Sequence, residues 1–391
     1  MTAIINSMKI YCRKDGRYEG RIFLGDGKSK SFYGKTKSEL KNKAKEYLHK
    51  IESGYKEPKK ILLNDYIEYW LKAYKLNKIE PSSYSRLYSV YQHQIKDSIG
   101  TKMIGNVTTA DIQKLIDEHA NPTNDKVKPL ALSGLKKIIH LLKPCFQVAI
   151  TEGIIYSNPC DNVKLPVESC VVVKTKEQVC MSDDEMDRFR DAALVRYKTT
   201  GEYRSRNGLV LLVILNLGLR VGEIQALEWK DIDFNKRIVR INKTMQNNIR
   251  NYESMGNKVY SRLKDSTKTS SGMRVLKLND SVLTYLKELR EYDNRNNIVS
   301  KYVCCSHANT IVRERNLQRS LDKIVEMAHI SEKISLHTLR HTFGSALIRK
   351  GVGVEVVSKL MGHANITITY NKYIQVLQEQ EAMAMQMVTV C

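Results

Sequence analysis

Apolar residues recur at three- and four-residue spacing through Leu62, Tyr66, Tyr69, Trp70 and Ala73, which predicts a helix with one buried stripe. A second helix begins near Pro81-Ser82, and Thr108-Thr109-Ala110-Asp111 caps a third. A fourth starts at Ser133, buries Leu135, Ile138, Ile139, Leu142 and Phe146, and stops near Gly153, ahead of Asn158-Pro159. Pro144 falls inside this last pattern and is expected to kink or split it. Residues 61–165 therefore predict an all-helical domain whose aromatic stripe is core rather than a base-stacking surface.

Residues 1–56 follow a different period. Short β-like runs at Met8–Cys12, Arg17–Leu24 and Lys30–Tyr33 are separated by turn signals at Asp15-Gly16 and Gly25-Asp26-Gly27. The capping box Thr36-Lys37-Ser38-Glu39 then opens a helix that runs to about Gly54. Residues 166–180 lack periodicity and predict a linker, and Ser182-Asp183-Asp184-Glu185 opens a third domain over 181–374. Its longest apolar run, Leu209–Leu219, has the length of a buried helix. In the tail, 375–391, Val376, Leu377, Ala382, Met383, Met387 and Val388 stand at nearly helical spacing. That stripe either packs on its own domain or is exchanged onto a neighbouring protomer.

Charge narrows the partners. The 391 residues carry a formal net charge of +22, and the first 60 hold 16 Lys and Arg against 7 Asp and Glu. Such a surface calls for a polyanion, either nucleic acid or an acidic membrane. No apolar run is long enough to span a bilayer and the N-terminus lacks a signal-peptide pattern, so nucleic acid is favoured and the protein is expected in the cytoplasm. Tyr18, Phe23, Phe32 and Tyr33, interleaved with lysines, suit a sheet face laid in a DNA major groove. The eight cysteines are scattered without a C-x-x-C pair, which predicts reduced thiols and no zinc site. Gly27-Lys28-Ser29 lacks the first glycine of a phosphate-binding loop, Ile22 standing in its place, so no ATP site is expected.

The chemistry gathers in the last 180 residues. Arg220 follows the buried run in Gly218-Leu219-Arg220-Val221-Gly222-Glu223, where an arginine needs an anion: Glu223 as a structural partner, or a ligand. His337, Arg340 and His341 share one face of a predicted helix, and Thr338 in place of glutamate removes the zinc-protease pattern H-E-x-x-H. Gly362-His363 follows, then Tyr373, with Tyr370 as a rival. Arginine forks match phosphate oxygens at any working pH, and a phenolate beside them can attack a phosphodiester.

Leu217-Gly218-Leu219-Arg220-Val221-Gly222-Glu223, His337-Thr338-Leu339-Arg340-His341-Thr342, Met361-Gly362-His363 and Thr369-Tyr370-Asn371-Lys372-Tyr373 together resemble the motifs of the tyrosine recombinases, or phage-integrase family. The resemblance covers about 200 C-terminal residues. It implies a multidomain α+β fold: a small β-ribbon-plus-helix domain for arm-site DNA, an all-helical core-binding domain, and a mostly helical catalytic domain with a small antiparallel sheet. It further implies that Tyr373 attacks the scissile phosphate and forms a 3′-phosphotyrosine. Arg220 and Arg340 would bind its nonbridging oxygens, and His337 and His363 would donate hydrogen bonds or manage the tyrosine proton. The Lys-Thr…Arg pattern in Ser266–Arg274 points to Lys268 as the donor to the departing 5′-oxygen, with Lys264 and Lys258 as alternatives. Glu223 and His341 would support these groups. T-x-x-x-Y spacing favours Tyr373 over Tyr370.

No cofactor and no metal are expected. The expected partners are double-stranded DNA at core and arm sites and three further copies of the chain in a homotetramer, with an excisionase and a host DNA-bending protein. Integration and excision of a mobile element is the leading reading. The basic β-ribbon start disfavours a chromosome-dimer recombinase, and the three-part layout disfavours a type IB topoisomerase. The complete residue set disfavours a regulator that has lost catalysis.

Overall fold

The computed structural model describes residues 8–23, 29–52, 60–124, 127–166, 180–250, 259–264 and 272–387. The chain divides into two compact units, Met1–Val171 and Val172–Cys391.

In the first unit, β1 (Ile10–Cys12), β2 (Tyr18–Phe23) and β3 (Ser29–Gly34) form an antiparallel ribbon in that order. Alternation along the strands sorts their side chains between two faces. Ile22 and Phe32 pack inward on Leu40 and Ala44 of α1 (Lys37–Glu52), while Tyr11, Phe23 and Tyr33 point to solvent. Only part of the expected aromatic set is thus presented outward: Phe32 is core, and Tyr18 leans on it. The Thr36 hydroxyl accepts from the Glu39 amide at 3.1 Å, and the Glu39 carboxylate accepts from the Lys35 amide at 2.8 Å, closing the start of α1.

The helical part of this unit has its own core. Here α2 (Leu63–Trp70) and α3 (Pro81–Val90) each end in a π-helical turn, Leu71–Lys75 and Tyr91–Ile95. Then come α4 (Thr109–Ala120), opened by the Thr108–Asp111 capping box, and α5 (Leu132–Thr151). Tyr66, Trp70, Ile116, Leu142 and Phe146 are buried together, so the stripe is core at Tyr66 and Trp70, whereas Tyr69 and Ala73 are exposed. At the rim, the hydroxyls of Tyr66, Tyr69 and Tyr74 donate to the Glu152 carboxylate at 3.0, 3.1 and 2.7 Å. Pro144 does not split α5, which stays one helix. Its missing N–H costs a single helical bond, and the burial of Leu141, Leu142, Cys145 and Phe146 around it outweighs that loss.

The second unit is built around α7 (Arg206–Leu217), apolar on every side because it packs against α6 (Asp183–Ala193), α9 (Asp280–Arg295), α10 (Glu314–Met327) and α11 (Leu336–Arg349). Arg206 opens α7 as a buried ion pair with Asp293 at 2.6 Å, and carbonyls of Val303 and Cys305 take its remaining donors. A short α8 (Val221–Ala226) leads into β4 (Ile232–Asp233) and β5 (Ile238–Ile241), which pair with β8 (Arg274–Lys277) in the order β4-β5-β8. The hairpin β6 (Thr244–Arg250) and β7 (Val259–Lys264) stands beside it as a separate sheet.

Two helices close the chain, α12 (Val354–Met361) and α13 (Ile366–Met387), the latter packed on α11 and α12. α13 continues past residue 374 to Met387. Its one non-helical residue is Tyr373, at φ −117° and ψ 17°. Val376 and Leu377 pack beside Ile348, Val357 and Met361 of the same chain. The expected linker core, 167–179, and Lys268 lie outside the described residues, as does Lys258. Among the described residues, no helix is long and apolar enough to cross a membrane.

Candidate active site

Two left-handed glycines set the frame. Gly218 (φ +61°) ends α7 and Gly362 (φ +63°) ends α12, conformations that other residues adopt only with strain. A Cβ on Gly218 would also stand 2.3 Å from the Phe343 ring. Both turns aim backbone carbonyls at guanidinium groups. The Gly218 carbonyl accepts from Arg340 at 2.6 Å, and the Gly362 carbonyl accepts from Arg220 at 2.9 Å. Distant motifs are thereby tied directly to one another.

Arg220 caps α8. Its backbone N–H donates to the Glu223 carboxylate at 3.0 Å and its guanidinium donates to the same group at 2.7 Å. The structural salt bridge anticipated for this pair is therefore present, yet 39% of the Arg220 side chain remains exposed. Glu223 itself is buried and serves several cations. Arg274 of β8 donates to its two oxygens at 3.1 and 2.9 Å, and Arg340 stands 3.9 Å away. Burial alone would push the Glu223 carboxyl up, but the Arg274 hydrogen bonds and the charges of Arg274, Arg220 and Arg340 hold it down, at about 2. Arg340 is 1% exposed and also donates to the Met361 carbonyl at 2.5 Å.

The histidines line the same place. His337 and His341, one turn apart on α11, meet edge to face with ring centroids 4.2 Å apart. The Nδ1 of His341 is buried without a hydrogen-bond partner. His363 contacts the Thr369 hydroxyl through Nδ1 at 2.7 Å, which fixes its ring. Burial, then neighbouring positive charge, keeps all three imidazoles neutral at physiological pH; His341 and His363 are pushed down to about 3.

Tyr373 lies next to this cluster, its ring centroid 6.2 Å from that of His341, but its hydroxyl faces another way. It is 1% exposed and sits among Ile348, Val357 and Met361, donating to the Met361 sulfur at 3.3 Å. Burial pushes the phenol well above its ordinary value, and the charge of Arg340 only partly opposes this. The rival Tyr370 is half exposed.

The fold thus gathers Arg220, Glu223, His337, Arg340, His341 and His363 in one cluster with Tyr373 at its edge. Two residues joined it without being singled out. Arg274 served only to mark the position of Lys268, and no local pattern announces its ion pair across 51 residues. Lys372 places Nζ 3.5 Å from His337 Nε2, a contact that depends on how α13 lies across α11.

Comparison with known proteins agrees with this geometry. The model of the Phage integrase family matches residues 181–380, and that of the phage integrase N-terminal SAM-like domain matches 62–119. A protein of Caldanaerobacter subterraneus subsp. tengcongensis called tyrosine recombinase XerC-like is 28% identical over 91% of this chain and 90% of its own. The integrase of Staphylococcus phage L54a is 24% identical over 82% of this chain and 89% of its own. The transposase of Tn916 from Enterococcus faecalis is 24% identical over 71% and 65%. Among solved structures, the Tn1549 transposon integrase with transposon end DNA superposes with a TM-score of 0.64 at 20% identity, over 83% of this chain and all of that one. A lambda integrase tetramer on a Holliday junction gives 0.58 at 16%, over 92% and 96%. With the family model spanning just over half the sequence and enclosing the whole cluster, this chain belongs to the phage integrase family, the tyrosine recombinases that cut and rejoin DNA.

Proposed function

We propose that this protein integrates and excises a mobile element by strand exchange between specific DNA sites, with Tyr373 as its nucleophile. The observation that carries this reading is the paired Arg220 and Arg340, locked by backbone carbonyls of two glycine turns and one shared carboxylate, beside the only deeply buried tyrosine of the cluster. The guanidinium groups would take the nonbridging oxygens of the scissile phosphate, where charge grows in the transition state. The Tyr373 oxygen would bond to phosphorus as the bond to the 5′-oxygen breaks. That oxygen would take a proton from Lys268, while His337 and His363 hold hydrogen bonds to the phosphate or accept the phenol proton. The phosphotyrosine conserves the bond, so a second DNA end reverses the step without an energy source.

The orientation of Tyr373 adds a requirement. Its hydroxyl must leave the Met361 slot before it can reach a phosphate, and leaving brings it from an apolar site to a cationic one. The phenol pKa then falls just where the phenolate is needed. Double-stranded DNA at core and arm sites is the proposed partner, with four protomers on paired sites, as in the lambda integrase tetramer. An excisionase and a host DNA-bending protein are proposed to set direction, and the bacterial cytoplasm is the proposed compartment.

Resolution of chromosome dimers is the second reading, favoured by the XerC-like relative. That alignment covers more of the chain than residues 61–391 could supply, so the ribbon does not by itself separate the two readings. The test is trapping on nicked duplexes that carry either the ends of the element or a chromosomal dimer site. Element ends are expected to yield a covalent adduct mapped to the Tyr373 peptide, lost in Tyr373→Phe while binding persists. An adduct on another residue removes Tyr373 from its role, and an adduct on the chromosomal site alone selects the second reading.

A further inference from the structure

The cluster holds more cations than its carboxylate can answer. Arg220, Arg274 and Arg340 all face Glu223, and each also donates to backbone carbonyls. Lys372 differs. Among the described residues, its recorded contact is the neutral imidazole of His337, at the long distance of 3.5 Å. It is half buried, so its ammonium is partly removed from water without gaining an anion in return. Burial and the charges of Arg340 and Arg220 lower its pKa below the ordinary lysine value. An ammonium held in this way, beside the charges of Arg340 and Arg220, is placed to meet an anion.

We infer that Lys372 binds a nonbridging oxygen of the scissile phosphate as a third cation beside Arg220 and Arg340. This rests on the recombinase reading above and adds a contact to it. The backbone explains how one residue can hold the phosphate while the next one attacks. Thr369, one turn earlier, is tied to His363, which anchors the start of α13 to the cluster. The helix departs from helical geometry only at Tyr373, so Lys372 lies on the anchored side and Tyr373 at the break. Rotation at that residue can swing the phenol in while the ammonium stays. The phosphate would then register the chain one peptide before the nucleophile.

The experiment uses the full chain and a nicked duplex bearing the element's own end, with adduct formation followed in a single turnover. Lys372→Met is expected to slow adduct formation about 100-fold, the scale of losing one oxyanion donor. Lys372→Arg, which keeps the charge, is expected to recover most of that loss. Non-covalent binding, measured with Tyr373→Phe added to each variant, is expected to change far less than the rate. The pH profile gives a readout that packing would not move. Around Lys372 stand Arg220, Glu223, His337, Arg340, His341, His363 and Tyr373; Arg340, pushed down to about 9 by burial and the charge of Arg220, and the Tyr373 phenol also titrate on the alkaline side, so the readout is the difference between wild type and Lys372→Arg. The wild-type rate should therefore fall on the alkaline side as the ammonium loses its proton, and Lys372→Arg should hold its rate further. Unchanged adduct formation in Lys372→Met overturns the inference. So does a faster rate, which would mean that the lysine occupies the phosphate's seat, or an arginine variant as slow as the methionine one. A wild-type chain that forms no adduct on any site overturns the recombinase reading itself.

Discussion

At the scale of single residues, the site is a compromise between burial and charge. His341 is 7% exposed and faces cations, so it stays neutral in the folded chain down to about 3, whereas in the unfolded chain it titrates near the ordinary histidine value of about 6.5. A depressed folded pKa in a base means that the unfolded state takes up protons first as pH falls. Stability is therefore full above about 6.5 and is lost between about 6.5 and 3. His341 alone is expected to cost about 2 kcal/mol between pH 6.5 and 5. Urea unfolding of the free protein at pH 7 and pH 5 measures it together with the similar shares of His337 and His363, and a His341→Gln variant should lose roughly a third of the difference. Equal midpoints at the two pH values would refute the buried neutral ring.

The same scale shows which residues a sequence can reveal. That Arg220, Arg340, His337, His363 and Tyr373 come together was legible from four motifs that resemble those of the tyrosine recombinases, and that resemblance also supplies the roles expected of them. Arg274 and Lys372 look ordinary in the sequence. Their membership comes from a β-strand pairing and a helix crossing, neither of which leaves a local mark. The orientation of Tyr373 was equally invisible, since spacing gives its distance along the chain but not the direction in which it points.

Among the elements, α11 and α13 fit through one close contact. A Cβ added at Gly344 would stand 2.2 Å from the Tyr373 oxygen and 2.4 Å from the ring carbon that bears it, so the hydroxyl end of the phenol lies against a bare helix. Gly344→Ala should stabilise an isolated helix by roughly 0.5–1 kcal/mol. In this protein it is expected to destabilise by about 1–3 kcal/mol, because the overpacked phenol must move. Tyr373→Ala on that background should restore the ordinary benefit of alanine, a double-mutant cycle read from thermal unfolding. Periodicity located most of these helices, and caps at Thr36, Thr108 and Ser182 marked their starts. Pro144 does not split its helix, because packing on several faces overrides a single lost hydrogen bond, and no sequence signal shows that α13 carries on past its break at Tyr373.

For the whole molecule, charge is unevenly placed, with a surplus of 9 positive residues in the first 60. Exposed Tyr11, Phe23 and Tyr33 share the ribbon with that charge. Deleting residues 1–56 is expected to spare cleavage of an isolated core site while weakening assembly on longer DNA. The slope of binding against salt should drop by about 1 for each phosphate contact removed. Titration of both forms at several salt concentrations checks this, and identical slopes would deny the ribbon its DNA. The slot that holds Tyr373 has a consequence at this scale too. If vacating it costs about 3 kcal/mol, the burial worth of a large side chain, and Tyr373 is the nucleophile proposed above, only roughly one free molecule in a hundred holds it ready at any moment. A lone protomer wandering along a chromosome would then rarely break it, and the genome is guarded from its own recombinase by nothing more than a comfortable resting place for one ring.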